Sequence, residues 1–316
     1  MNQRESTIRA ALIVLVILFQ TSAAADVRTF RWQGVERLYR LHNAEVGAET
    51  AAPLVVYLHG YRKRAEAIEG RNTLDRISWG RLEATATSEG FVVASPAAHW
   101  GKWNLLDGLR NTTLGDGTRL DDVGFVFALI EALVADGIAD PARIYLTGIS
   151  DGAIMSYRLL CTPESPFVAA VALIGTMTEI HRDACLDARP TPIMVIAGTL
   201  DRTLPYDGRI FRTGRQLSVP ETMEYWRRLH DCTGQKSEAL DDVDMEDGSQ
   251  VRLVHWTGCA TEGAVKLLRI EGGSHRVPRL APNAGNAGER KDGRNYDIDG
   301  AEEAWRFVSS FTRQKH

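Results

Sequence analysis

Several things are scarce in this chain of 316 residues. There are four cysteines, and none stands in a C-x-x-C pair or beside clustered histidines, so no stretch has the ligand spacing of a structural zinc site. A basic excess is missing too. The 37 Lys and Arg stand against 41 Asp and Glu, and a net charge of -4 excludes the electrostatic footprint of a nucleic-acid binder. With 44% hydrophobic and 25% charged residues, nothing suggests disorder, collagen or a repeat array. A membrane-spanning run is absent as well. The apolar stretch from Ala10 to Phe19 is too short for a bilayer core of about 30 Å. Arg4 and Arg9 precede it and Ala23-Ala24-Ala25 follows, which is the form of a secretory signal with a mature start at Asp26. No cysteine stands at the cleavage site to carry a lipid anchor. The expectation is a signal peptide over 1–25, one domain over 26–316 with no dividing linker, and a secreted or periplasmic protein without a stable membrane anchor.

Export makes the cysteines informative. Cys161, Cys185, Cys232 and Cys259 are an even set in an oxidising compartment, so two disulfides are expected. Four cysteines allow three pairings, and closeness in sequence favours Cys161–Cys185 and Cys232–Cys259.

The stretch Arg143–Tyr157 organises the chain. Ile144 to Thr147 is a short apolar, partly β-branched run and reads as a buried strand. Gly148-Ile149-Ser150-Asp151-Gly152 follows at once, and Ala153 to Leu160 reads as a helix. Strand, G-x-S-x-G turn and helix together form a nucleophile elbow. Such a turn strains the serine backbone and needs small neighbours. It presents Ser150 Oγ and aims the N–H of Asp151 at a developing oxyanion.

Other elements supply the partners. Val27–Trp32 and Val35–Leu41 flank Gln33-Gly34 as an opening hairpin. Leu54 to Leu58 is an apolar strand running into His59-Gly60-Tyr61, where backbone N–H groups can face the serine; the N–H of Tyr61 is the second oxyanion donor expected. Leu74–Ser88 reads as a helix and Phe91–Ala94 as the next strand. The aromatic segment His99–Asn104 follows that strand end, and Trp100 and Trp103 are candidates to line a substrate cleft there. Asp121-Asp122 precedes a helix over Val123–Val134, with Asp122 read as its cap. Val168–Ile174 and Ile193–Ala197 are further strands. The second delivers Gly198-Thr199-Leu200-Asp201, which puts Asp201 where the orienting acid belongs. Ser218 caps a helix running to His230. Ala239–Trp256 reads as a hairpin turning at Asp247-Gly248. Its run Asp241, Asp242, Asp244, Glu246 and Asp247 fails the calcium-loop spacing and reads as a solvated acidic hairpin. Val265–Ile270 leads into Glu271-Gly272-Gly273-Ser274-His275. Ala281–Gly300 reads as a surface loop, and Ala301–Phe311 as a closing helix. Alternating strands and helices predict a mostly parallel central sheet with helices on both faces, an α/β-hydrolase fold.

The order Ser150, Asp201, His275 is that of a serine hydrolase triad, in which a neutral imidazole takes the serine proton and a carboxylate fixes its tautomer. No metal or cofactor is required.

These stretches resemble a known family. Leu54–Tyr61, Asp121–Phe125, Gly148–Tyr157, Pro205–Gly208, Ser218–Thr222 and Glu271–His275 follow one another as in the polyhydroxybutyrate depolymerase and feruloyl esterase-like hydrolases. The resemblance covers almost the whole mature chain. It implies a secreted carboxylic ester hydrolase with the triad Ser150, Asp201 and His275, and it supports the two cysteine pairings. The implied substrate is a polyester or a feruloyl or acetyl ester of plant polysaccharide, with His59, Trp100, Trp103 and Arg276 as candidate contacts. There are departures: Tyr61-Arg62-Lys63-Arg64 replaces a glycine-rich loop, Asp151 stands where Asn is common, and Arg276-Val277-Pro278 replaces Thr-Trp-Pro. The charge of Arg276 suits an anionic substrate part such as a polymer carboxylate or a uronate. A prolyl oligopeptidase-like peptidase shares fold and triad order. A secreted binding protein on a degenerate hydrolase fold would need a missing triad member, and none is missing.

Overall fold

A computed structural model describes residues 26–47, 50–61, 79–105, 117, 119–211, 214–280 and 292–314. The expected signal peptide, the start of the Leu74–Ser88 helix, the Arg62-Lys63-Arg64 loop and most of the Ala281–Gly300 loop lie outside these residues.

The chain opens with an antiparallel hairpin, β1 (Asp26–Trp32) and β2 (Val35–His42). Gln33 and Gly34 both take positive φ at its turn, which matches the right-handed twist of the two strands. Six strands then form a parallel centre in the spatial order β4 (Val92–Pro96), β3 (Ala52–Leu58), β5 (Ala139–Ile149), β6 (Ala169–Leu173), β7 (Ile193–Gly198) and β12 (Val265–Glu271). Antiparallel strands close both edges: β2 and β1 beside β4, and β11 (Gln250–Thr257) and β10 (Gly234–Ala239) beside β12. The whole sheet has ten strands. The central strands are near-continuous runs such as Leu-Val-Val-Tyr-Leu because both faces are covered.

Two apolar layers result. Leu54, Val56 and Leu58 point to the side of α2 (Asp122–Ala135), α3 (Asp151–Cys161) and α5 (Val219–Leu229). Val55 and Tyr57 point to the side of α1 (Gly80–Glu89) and α6 (Gly300–Val308). A short α4 (Glu179–Ala184) follows β6. A two-stranded arm, β8 (Arg209–Phe211) and β9 (Gly214–Gln216), sits between β7 and α5. Cys161–Cys185 ties the end of α3 to the end of α4, and Cys232–Cys259 joins the chain two residues before β10 to the chain two residues after β11. Among the described residues no helix is long and apolar enough to cross a membrane.

Three expectations need correction. Asp121, not Asp122, caps α2, accepting the N–H of Gly124 at 2.8 Å. Asp122 is buried one residue further in. It accepts a 2.6 Å bond from Arg37 Nη2 and another of 2.6 Å from the N–H of Asn104. The late hairpin begins at Gly234, five residues before the expected Ala239. Its connection is not a solvated acidic turn throughout: Asp244 and Asp247 are buried. Asp247 accepts from the N–H of Ser249 and of Tyr296, while Asp297 accepts the N–H of Val243 and Asp244. These carboxylates replace water for a loop folded against the segment before α6. Ser218 does cap α5, in a reciprocal capping box with Glu221.

Candidate active site

Ser150 sits between the end of β5 and the first turn of α3 with φ 57° and ψ -120°. A residue with a Cβ occupies that region only under strain. Two hydrogen bonds hold it there: its N–H donates to Leu173 O at 3.0 Å and its carbonyl accepts from Ile154 at 3.1 Å. Gly152 is dictated by packing, since a Cβ there would stand 2.0 Å from Leu58 O. Without a side chain, α3 can start directly against the end of β3.

Asp201 and His275 come from neighbouring strand ends. Asp201 follows β7, is buried, and accepts the N–H groups of Thr203 and Leu204 through Oδ1 at 2.8 and 2.9 Å. Its Oδ2 lies 2.6 Å from His275 Nδ1. His275 follows β12, and its Nε2 lies 3.0 Å from Ser150 Oγ. The carboxylate can only accept, so Nδ1 carries the proton, and Nε2 is left as the acceptor that faces the serine hydroxyl. Residues separated by 74 and 125 positions in sequence thus form one hydrogen-bonded row. Such a row can deprotonate a hydroxyl as it attacks a carbonyl and then hand the proton to a leaving group.

The loop after β3 passes beside the serine. A Cβ built on Gly60 would lie 3.2 Å from Ser150 Cβ, so the backbone of this loop runs close against the serine. His59 and Trp103 do not line a cleft. Both are fully buried. His59 Nδ1 donates to Gly60 O at 2.7 Å, and Nε2 accepts the N–H of Ala98 at 3.1 Å. Trp103 Nε1 donates to His59 O at 2.8 Å, and the two rings pack at 5.1 Å. These side chains therefore brace the loop carrying Gly60 and Tyr61. Trp100 is partly exposed on a 3-10 turn at φ 52°, against the ring of His99. Arg276 is exposed, with Nε 3.7 Å from Asp292 Oδ2. Asp207, in the turn before β8, is exposed and stands outside the row.

Sequence reasoning missed the segment after β6. Gly175 packs so closely that a Cβ on it would stand 2.9 Å from Ser150 O, and Tyr157 donates to its carbonyl at 3.2 Å. No sequence motif marks this contact. It follows from where β6 ends relative to α3. Among the described residues no group of three or more His, Cys, Asp or Glu could hold a metal ion.

No protein-family model matches the chain. It is 26% identical over 241 residues to Feruloyl esterase B of Piromyces equi, covering 72% of this chain and 40% of that protein. It is 29% identical over 259 residues to a protein of Nocardia uniformis named "Putative esterase NocK", covering 78% and 72%. To Poly(3-hydroxyalkanoate) depolymerase C of Paucimonas lemoignei it is 27% identical over 177 residues, covering 54% and 39%. The chain thus spans about two fifths of the length of the first and third of these relatives. Among solved structures, the acetyl xylan esterase from Aspergillus awamori superposes with a TM-score of 0.54 at 13% identity, over 80% of this chain and 95% of that one. At that identity the likeness concerns the fold. Motifs, sheet and relatives point the same way: the chain has the α/β-hydrolase fold, and it is similar to the feruloyl esterase and poly(3-hydroxyalkanoate) depolymerase-like ester hydrolases.

Proposed function

We propose that the chain is an exported serine esterase that cleaves carboxylic esters through an acyl-enzyme, with Ser150 as nucleophile, His275 as general base and acid, and Asp201 as the group that orients it. The observation that carries this reading is the hydrogen-bonded row from Asp201 Oδ2 through His275 to Ser150 Oγ, with the serine strained at the end of a parallel strand. Ser150 Oγ bonds to the ester carbon while His275 Nε2 takes its proton. The negative charge on the former carbonyl oxygen would be met by the N–H groups of Asp151 and Tyr61. Removing one such donor typically costs about a hundredfold or more in rate. Collapse of the adduct expels the alcohol, protonated by His275. Water, deprotonated by the same imidazole, then attacks the acyl-enzyme and releases the acid and the free serine.

The names of the relatives support a feruloyl or acetyl ester of plant polysaccharide, or a poly(3-hydroxyalkanoate), as substrate. The alanine-rich segment before Asp26 and the two disulfides support export.

The test is turnover of p-nitrophenyl acetate, methyl ferulate, acetylated xylan and 3-hydroxybutyrate oligomers by the wild type and Ser150→Ala, with circular dichroism on both. Ester turnover lost in a folded Ser150→Ala is the expected result. Wild-type rates in that variant would remove Ser150 from the mechanism. Cleavage of peptide amides at rates matching the esters would favour a peptidase instead.

A further inference from the structure

The loop that carries His275 continues through Arg276 to Arg279, and the chain returns beside it at Asp292–Arg294. Hydrogen bonds from Ser274 and Arg279 hold the returning segment in place. The N–H of Ser274 donates to Gly293 O at 2.7 Å, the hydroxyl of Ser274 donates to Asp292 O at 3.2 Å, and the N–H of Arg279 donates to Asn295 O at 3.2 Å. Arg276, Arg279 and Arg294 therefore gather next to the residue that faces Ser150.

Among the described residues one carboxylate, Asp292, stands near Arg276 and Arg294, and no carboxylate is paired with Arg279. The Nε atoms of Arg276 and Arg294 each stand 3.7 Å from Asp292 Oδ2, beyond hydrogen-bonding distance. Arg294 instead donates through Nη1 to the carbonyl of Val277. The guanidinium of Arg279 lies 5.7 Å from the Tyr296 ring centroid. The Nε atoms of Arg279 and Arg294 are buried, with no hydrogen-bond partner among the described residues. Burial, first, and the charges of Arg279 and Arg276, opposed by Asp292 and Tyr296, hold the pKa of Arg294 below its ordinary value. Asp201, the acid bonded to His275, has its oxygens committed to that ring and to two N–H groups. An under-neutralised arginine cluster is costly to keep, and it stands here in a chain whose net charge is -4.

We infer that Arg276, Arg279 and Arg294 form an anion subsite of the cleft, which takes a free carboxylate carried by the ester substrate. The inference rests on the ester-hydrolase reading above. Arg276 directly follows His275 in the chain and has half of its side chain exposed. Planar guanidinium groups suit a carboxylate, which they can bind through paired N–H donors. The carboxylate can belong to a uronate of a polysaccharide or to the free end of a hydroxyacid oligomer.

The experiment compares two matched pairs of substrates. One pair is a 3-hydroxybutyrate trimer with a free terminal carboxylate and the same trimer as a terminal carboxamide. The other is acetylated glucuronoxylan before and after reduction of its uronate carboxyl groups. In wild type, kcat/KM for the anionic member of at least one pair should exceed that of the neutral member about tenfold. The pair that shows it identifies the source of the carboxylate. The ratio should fall towards one in Arg276→Gln, in Arg279→Gln, and in wild type at 1 M NaCl, where the screening length is about 3 Å. Arginines that merely brace the loop would lower both members of a pair together and leave the ratio unmoved. Neutral substrates turned over with no preference in either pair, or a preference that survives both substitutions, overturns the subsite while ester hydrolysis stands. A protein that cleaves no member of either pair but turns over p-nitrophenyl acetate or methyl ferulate overturns the subsite alone, and one that cleaves none of these esters brings down both readings.

Discussion

Gly198 and Gly273 bring the loops of Asp201 and His275 into contact. A Cβ placed on Gly198, at the end of β7, would lie 2.3 Å from Gly273 O and 2.8 Å from Ser274 O. The Gly273 carbonyl also accepts the N–H of Leu200 at 2.8 Å, one residue before Asp201. The loops of Asp201 and His275 are therefore in backbone contact, and a methyl group at position 198 has no flexible side chain to displace. Gly198→Ala should push the two loops apart. Stability should drop by about 1–3 kcal/mol, as for other overpacked sites. Because a misplacement near 1 Å can cost on the order of a hundredfold in rate, kcat should drop by about that factor. Urea unfolding and ester turnover measure the two effects. Full activity in the variant would mean that the Asp201–His275 geometry does not depend on this contact.

What the sequence revealed of the site has a physical basis, and so does what it hid. The elbow was legible because its requirements are local: a strained serine and glycines where backbones touch are written into five consecutive residues. Asp201 and His275 were legible because each follows an apolar run that ends in a tight turn. His59 and Trp103 misled because their burial is decided across 44 residues, where the indole N–H meets the His59 carbonyl. An aromatic segment after a strand end looks the same whether its rings face solvent or a loop. The strand Gly234–Ala239 was missed for a different reason. It reads Gly-Gln-Lys-Ser-Glu-Ala, carries no β-branched or aromatic residue, and lies exposed at the sheet edge, where pairing with β11 alone defines it.

The neighbours Asp121 and Asp122 show the same limit and give a sharp test. By sequence the cap of α2 falls on Asp122, whereas Asp121 fills it. Arg37, 85 residues away from Asp122, decides the matter by meeting that carboxylate inside the protein, with its guanidinium over the Phe125 ring at 4.1 Å. Asp121→Ala should cost the ordinary price of a lost cap, about 1 kcal/mol. Asp122→Asn should cost about 3–5 kcal/mol, because Arg37 then remains buried without its partner. Arg37→Met combined with Asp122→Leu should recover much of that loss, since no orphaned charge remains. Unfolding midpoints in urea rank the three. If Asp121→Ala proves the more damaging single change, the ion pair does not have the weight given to it here.

His181 ties stability to pH away from the catalytic row. It is buried on α4, and its Nε2 donates to Leu105 O at 2.6 Å. Burial, first, with the positive charge of Arg158 adding to it, lowers its pKa from 6.5 to about 4, while the bond to Leu105 opposes the shift. In the unfolded chain the same ring titrates near 6.5, so between these values the unfolded state binds the extra proton and the folded state does not. Stability from this group is therefore complete above about pH 6.5. It is lost progressively as the pH falls towards 4 and levels off below that. One pKa unit corresponds to about 1.4 kcal/mol, so the full loss amounts to a few kcal/mol. His230, also buried and also shifted downwards, contributes in the same direction. His181→Gln can keep the donor to Leu105 without a titrating ring. It should flatten part of the decline in unfolding free energy between pH 7 and 4, leaving the share that belongs to His230 and to the carboxylates. The measurement is urea unfolding of both proteins at pH 7, 6, 5 and 4, read as the difference between them at each pH. A constant difference across the range would show that His181 takes up its proton in the folded state as readily as in the unfolded one.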